Sequence, residues 1–278
     1  MTSKIKALVS ADMIFLLLLA LSGSASGVAG EILYCLAFIV PAILMLSVAY
    51  NPDKSSHASA RTERIDVISD LKKDFSVSRR TLLFSLPVIF PAILIILGIS
   101  VAASLLMNKL GINNTVTIDS SLPIAIISHA LVPAVLEEML FRLASIKLLG
   151  ENKKTALALS ALTFAFAHVN LFQIPFALMA GFVCGALYIV TGSIIPSVVL
   201  HFLNNTVSLL SMYGFGDLKI IIILSVLSLV SLIFIFIRRR TFVNMIKESF
   251  SKEKAVFTYH PLIFITTSLI LAVSMLFE

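Results

Sequence analysis

The sequence predicts an all-α polytopic membrane protein, a bundle of about nine transmembrane helices. Three observations carry this. Hydrophobic residues make up 59% of the 278 positions, charged residues only 13%, and the mean hydropathy is +1.04. Soluble domains are about 25% charged. The apolar residues are gathered into runs near the length of about 20 residues that a bilayer core demands. Lysine and arginine cluster in alternate connections between those runs, as topology in a membrane requires. The same topology accounts for the net charge of +6, which removes the need for a nucleic-acid partner.

The runs fall at about 7–21, 31–50, 82–106, 122–147, 155–171, 173–191, 193–212, 219–237 and 261–277. Lys4 and Lys6 precede the first; Lys54, Arg61, Arg64, Lys72, Lys73, Arg79 and Arg80 fill the connection before the third. Lys147, Lys153 and Lys154 follow the fourth, and Arg238, Arg239, Arg240, Lys247, Lys252 and Lys254 follow the eighth. The other connections are nearly free of positive charge, Lys109 and Lys219 excepted. The N-terminus is thus expected in the cytoplasm, with the chain integral to a membrane, taken as a bacterial cell membrane, and in contact with its lipid. The start also fits a signal peptide: two lysines, a short apolar core, then Ser22-Gly23-Ser24-Ala25-Ser26-Gly27. That would reduce the count to eight spans.

Within the 51–81 connection Ile65, Ile68, Leu71 and Phe75 recur at helical spacing among charges. This predicts an amphipathic helix on the inner membrane surface. Three segments result: residues 1–81, N-terminal spans plus this linker; 82–237, a core; and 238–278, a basic segment and final span. Cys35 and Cys184 lie in apolar runs and are expected as buried thiols. There is no zinc-type cysteine spacing and no HExxH motif.

Polar residues inside three runs point to function, because ionisable groups in hydrocarbon cost about 2.5–3.5 kcal/mol each on insertion scales. They are Glu137-Glu138-Met139-Leu140-Phe141-Arg142, Phe164-Ala165-Phe166-Ala167-His168 and His201-Phe202-Leu203-Asn204-Asn205, or EExxxR, FxxxH and HxxxN. Residues four apart share a helix face, so Glu138 can pair with Arg142 while Glu137 points about 100° away. Measured from the expected cytoplasmic helix ends, the rise of about 1.5 Å per residue puts Glu137 roughly 15 Å deep, His168 roughly 20 Å and His201 roughly 12 Å. The three meet at similar depth. Pro133, four residues before Glu137, is expected to kink its helix or free a carbonyl.

The inventory suits hydrolysis without a covalent nucleophile. Glu137 with His168 can hold and deprotonate a water. His201 and Asn205 can donate to a developing oxyanion, and Glu138 with Arg142 can orient the first carboxylate. Ser128, Ser160 and Ser208 are expected to bond back to the preceding turn. His129 is expected nearer the outer leaflet with a local hydrogen-bond partner. Asn170 and Asn204 are expected at helix termini or between helices, and His57 and His260 in solvated segments.

In this order and on separate membrane helices, the three motifs resemble the CPBP family, the CAAX proteases and bacteriocin-processing enzymes also called Abi proteins. The resemblance covers roughly residues 82–237. It implies an α-helical intramembrane endopeptidase acting on membrane-associated proteins or peptides, in CAAX-type processing or in bacteriocin maturation and self-immunity. By it, Glu137 is the water-activating base, His168 its partner, and His201 with Asn205 the oxyanion site, while Glu138 and Arg142 fill the paired positions of the first motif. The family is often labelled metalloprotease. Glu137, His168 and His201 form a conceivable zinc set, but a metal-free, glutamate-dependent reaction is favoured, with no cofactor required. Two other functions remain open, a non-catalytic membrane scaffold or immunity protein and a proton-coupled transporter. The sequence leaves the oligomeric state open.

Overall fold

The computed structural model describes residues 2–50, 60–111, 118, 120–149, 152–215 and 217–250. Ten helices and no strand lie among them: α1 (Thr2–Ser24), α2 (Val28–Ala49), α3 (Ala60–Asp74), α4 (Arg79–Lys109), α5 (Leu122–Leu148), α6 (Lys153–Ala167), α7 (Ile174–Thr191), α8 (Ile195–Met212), α9 (Asp217–Ile237) and α10 (Arg239–Phe250). Seven are long and apolar enough to cross a membrane: α1, α2, α4, α5, α7, α8 and α9. The ninth run at 261–277, together with His57 and His260, lies outside the described residues.

The fifth run differs from its expectation. The apolar stretch 155–171 gives α6, only 15 residues long, or about 22 Å at 1.5 Å per residue, which is short of a hydrocarbon core of about 30 Å. The helix stops because His168 turns its ring nitrogen Nδ1 onto the Phe164 carbonyl at 2.9 Å. Val169 then takes a left-handed conformation, φ 46°, and the Asn170 side chain accepts from the Phe172 amide at 2.9 Å. Pro175, near the start of α7, begins the return helix. The chain thus reverses inside the bundle, and basic residues still sit at the opposite end of the α6–α7 hairpin.

Helix order in space follows the packing. α1 lies along α2, α2 along α5, and α5 along α8; α8 packs on α7, α7 on α6 and α4, and α4 on α9. One apolar core joins α1, α2, α5, α6 and α7 through residues such as Phe15, Phe38, Phe141 and Phe164. A second joins α4, α7, α8, α9 and α10. Without a strong hydrophobic drive between helices in lipid, small residues allow close backbone approach. Gly181 and Gly185, four apart on α7, do this against α6: a Cβ on Gly181 would come within 2.9 Å of the Ala161 Cα.

α5 is not a uniform helix. It opens into π-helical turns at Ile126–Leu131 and Met139–Ala144. The first immediately precedes Pro133, whose missing N–H leaves a carbonyl without its helical partner. In the second, the Phe141 carbonyl accepts from Ser160 of α6. Ser160 therefore reaches across to α5, unlike Ser128 and Ser208, which bond back to Ile124 and Asn204 as expected. Of the two thiols, Cys184 is buried and Cys35 only partly so.

α3 forms where its spacing predicts, with Ile68 and Phe75 exposed. It is more than a surface linker, however. Lys147 of α5 pairs with Asp70 and, at 2.7 Å, with Asp74. Tyr50 donates to Asp70 at 2.7 Å and Tyr188 to Asp74 at 2.9 Å. Burial alone would raise Asp70, but the hydrogen bonds from Lys147 and Tyr50 prevail and hold its carboxyl below the ordinary range. Burial prevails at Asp74 and pushes it up.

Candidate active site

All three motifs converge on one point in the bundle. Glu138 and Arg142 are completely buried on α5 and pair along it, Oε2 to Nε at 3.1 Å. The alignment is that of an ion pair, not a hydrogen bond, and Nη1 and Nη2 of Arg142 have no hydrogen-bond partner among the described residues. The guanidinium instead lies over the Phe164 ring, 4.1 Å from its centroid, where the ring quadrupole favours a cation. The phenylalanine of the second motif thus serves the arginine of the first. Phe164 also meets both histidines edge-on, His168 at 4.9 Å and His201 at 5.6 Å between centroids.

His201 of α8 stands between the two glutamates. Its Nδ1 is 2.9 Å from Glu138 Oε1, and its Nε2 is 3.7 Å from Glu137 Oε2. A hydrogen bond at one ring nitrogen fixes what the other can do. With Nδ1–H donated to the buried Glu138 carboxylate, Nε2 is left to face Glu137. Sequence spacing gave Glu138 a partner in Arg142; it did not reveal that Glu138 also anchors His201, because the two are 63 residues apart.

Glu137 and His168 line one cavity of about 450 Å³, walled also by Phe141 and Ala167 and, from α1 and α2, by Phe15, Leu19, Tyr34 and Phe38. Glu137 Oε2 is buried without a hydrogen-bond partner among the described residues, the state of an acceptor held ready for an incoming donor. His168 is held through Nδ1, which leaves Nε2 for the cavity. Asn205 is one turn beyond His201 on α8, partly exposed, and is not among the cavity-lining residues. Asn204 is the more buried of the pair.

His129 is exposed near the far end of α5 and lines a second cavity; no hydrogen bond to it is found among the described residues. Among the described residues no three His, Cys, Asp or Glu side chains come close enough to hold an ion.

Sequence reasoning missed the contribution of α1 and α2. Phe15 packs on Phe141 at 5.8 Å and on Phe38 at 5.1 Å, and Tyr34 packs on Phe38 at 5.1 Å. Phe15, Leu19, Tyr34 and Phe38 do recur at helical spacing, a signal of a buried face, but nothing in that pattern says which site the face borders.

No curated protein and no solved structure matches the chain. A family model does, that of the type II CAAX prenyl endopeptidases, Rce1-like, over residues 119–207. That stretch contains Glu137, Glu138, Arg142, Phe164, His168, His201 and Asn205. Residues 119–207, the segment that builds the site, thus match the Rce1-like type II CAAX prenyl endopeptidase family, consistent with a CPBP/CAAX intramembrane protease.

Proposed function

We propose that this chain is an intramembrane endopeptidase in which Glu137 activates water without a metal. Glu137 takes a proton from a water held between it and His168. The hydroxide adds to the scissile carbonyl carbon, and the carbonyl electron pair moves to oxygen. In its imidazolium form, with Nδ1–H kept on Glu138, His201 donates from Nε2 to that oxyanion, with Asn205 as its second donor. Collapse of the intermediate breaks the C–N bond, and Glu137 returns its proton to the leaving amine. One water is consumed, and a carboxylate and an ammonium are released, the second proton passing from the new carboxyl group to the amine. Glu138 and Arg142 hold His201 in place throughout.

The observation that supports this best is the clasp of His201 between two glutamates. One carboxylate anchors Nδ1 inside an ion pair, and the other shares a cavity with His168. Preorganised donors of this kind each contribute about 10²–10³ in rate. The substrates would be membrane-associated proteins or peptides, in CAAX-type processing or in maturation and self-immunity to bacteriocins.

The test compares protein termini, by mass spectrometry of membrane and secreted fractions, between cells carrying the wild type and cells carrying Glu137→Gln at equal abundance. Termini lost in the variant support proteolysis, and purified protein with and without chelator then tests the metal-free step. Identical termini across growth conditions would refute the assignment and favour scaffolding or transport. Loss of turnover on chelation, restored by zinc, would refute the metal-free step alone.

A further inference from the structure

A second cavity, of about 890 Å³, lies at the end of the bundle away from the basic connections. It is formed between the α1–α2 turn and the first half of α5, and it opens to the exterior through exposed Glu31 and His129. Its character differs from that of the catalytic cavity. Ser22 and Ser128 bring hydroxyls, Glu31 a carboxylate and His129 an imidazole, while Gly27 and Gly30 leave backbone within reach. The catalytic cavity is walled mainly by Phe15, Leu19, Phe38 and Phe141. One residue, Tyr34, lines both, and Glu137 lines the inner one with it.

On the protease reading above, we infer that this outer cavity is the binding site for the substrate's peptide chain, and that Tyr34 joins it to the scissile position. Its chemistry specifies the ligand. An extended peptide presents a donor and an acceptor at every residue, and beyond the Glu137–His168 pair the polar groups to meet them line the outer cavity. The aromatic cavity accepts one apolar side chain beside the bond to be cut. Glu31 precedes Tyr34 by three residues, a rise of about 4.5 Å on the helix, while a strand advances about 3.3 Å per residue. A lysine or arginine about one to two residues from the scissile bond therefore faces Glu31. Tyr34 acts as a positioning residue: standing where the two cavities meet, it guides the carbonyl delivered from above toward Glu137.

The experiment uses the full chain in nanodiscs, with Cys35→Ser and Cys184→Ser as background and Ser128→Cys, or in a second preparation His129→Cys, as reporter. A charged, membrane-impermeant thiosulfonate labels the reporter. An acetylated decapeptide with leucine and, two residues away, lysine is the probe; its control carries glutamate for lysine. We expect at least fivefold slower labelling with the lysine peptide, little change with the glutamate peptide, and the reverse preference after Glu31→Lys. Failure of both reporters to label, or labelling indifferent to either peptide, overturns the site. A fluorogenic form of the lysine peptide reads Tyr34→Phe: kcat should fall about tenfold with KM within twofold and an altered pH profile. Unchanged kcat removes Tyr34 from the proposal. If the peptides protect the reporter but wild type and Glu137→Gln release fluorophore equally, the binding site stands and the protease reading fails.

Discussion

The ion pair at the centre of the bundle gives the most exacting prediction. In Arg142→Ala, Glu138 keeps its contact with His201 but loses the cation 3.1 Å from Oε2, in a place with no exposure at all. Removing one partner of a buried pair costs about 3–5 kcal/mol, because the other charge remains without compensation. The lost stacking on Phe164, 4.1 Å away, adds about 1–2 kcal/mol. The arginine's volume is also vacated next to the ring that meets both histidines. Taking about 2–4 °C per kcal/mol for a chain of this size, the melting temperature of purified protein in detergent should fall by roughly 8–28 °C. The double variant Glu138→Gln/Arg142→Met removes both charges and keeps the volume. It should recover most of that loss, yet remain inactive because His201 has lost its anionic anchor. The assay is a thermal melt followed by size-exclusion monodispersity, run as a double-variant cycle. A melting temperature for Arg142→Ala within 2 °C of wild type, or a double variant no better than the single, would refute the buried-pair account.

Three further outcomes follow from local geometry. Gly181→Ala should destabilise by about 1–3 kcal/mol through overpacking, since its Cβ meets Ala161 backbone at 2.9 Å, whereas Gly185→Ala should cost less because its one close contact is the movable end of Leu157; equal melting temperatures would contradict the packing. Val169→Gly should hold or raise stability, by up to about 1 kcal/mol, because a β-branched residue at φ 46° is strained, while turnover falls as the segment beside His168 loosens; a clear loss of stability would mean that the left-handed turn does not form. The α3 attachment should respond to acid, read by proteolysis of the α3–α4 connection. Asp70 is held below its ordinary 3.8, so its stabilising share is present above that value and is lost as pH falls through the depressed one. Asp74 is raised and works oppositely, its share present below 3.8 and lost as pH rises through its folded value. Asp70→Asn should therefore abolish the acid release, and Asp74→Asn should preserve it.

Much of this was legible in the chain itself. Glu138 and Arg142 share a helix face by spacing alone, and His168 and His201 fall at the depth of Glu137 by counting residues along their helices. Those inferences need only a helix and a membrane. What escaped was tertiary or depended on local irregularity. The apolar run 155–171 reads as a span, yet the chain leaves the helix at His168, where a side-chain bond to the Phe164 carbonyl competes with the helical ladder. Lys147 looked like one more topological charge, but it ties α3 to α5. Nothing in the sequence joined Tyr34 and Phe38 to the site, since periodicity cannot say what stands on the other side of an interface. The widened turns of α5 leave no distinct mark in composition, although Pro133 signals one of them.

The short α6 hairpin has a consequence for the membrane around it. A 15-residue helix that reverses at His168 brings irregular backbone to a level where lipid offers it no hydrogen bonds. Such backbone is tolerated only within protein or beside water. Bilayer thickness thereby becomes a variable that the site feels. In thin lipid the reversal approaches the headgroups and water reaches His168 readily; in thick lipid the same turn is drawn under hydrocarbon. On the proposed reading, the hydration of the site is set jointly by the chain and by the acyl-chain length of its host membrane, so the rate of hydrolysis is a property of the pair.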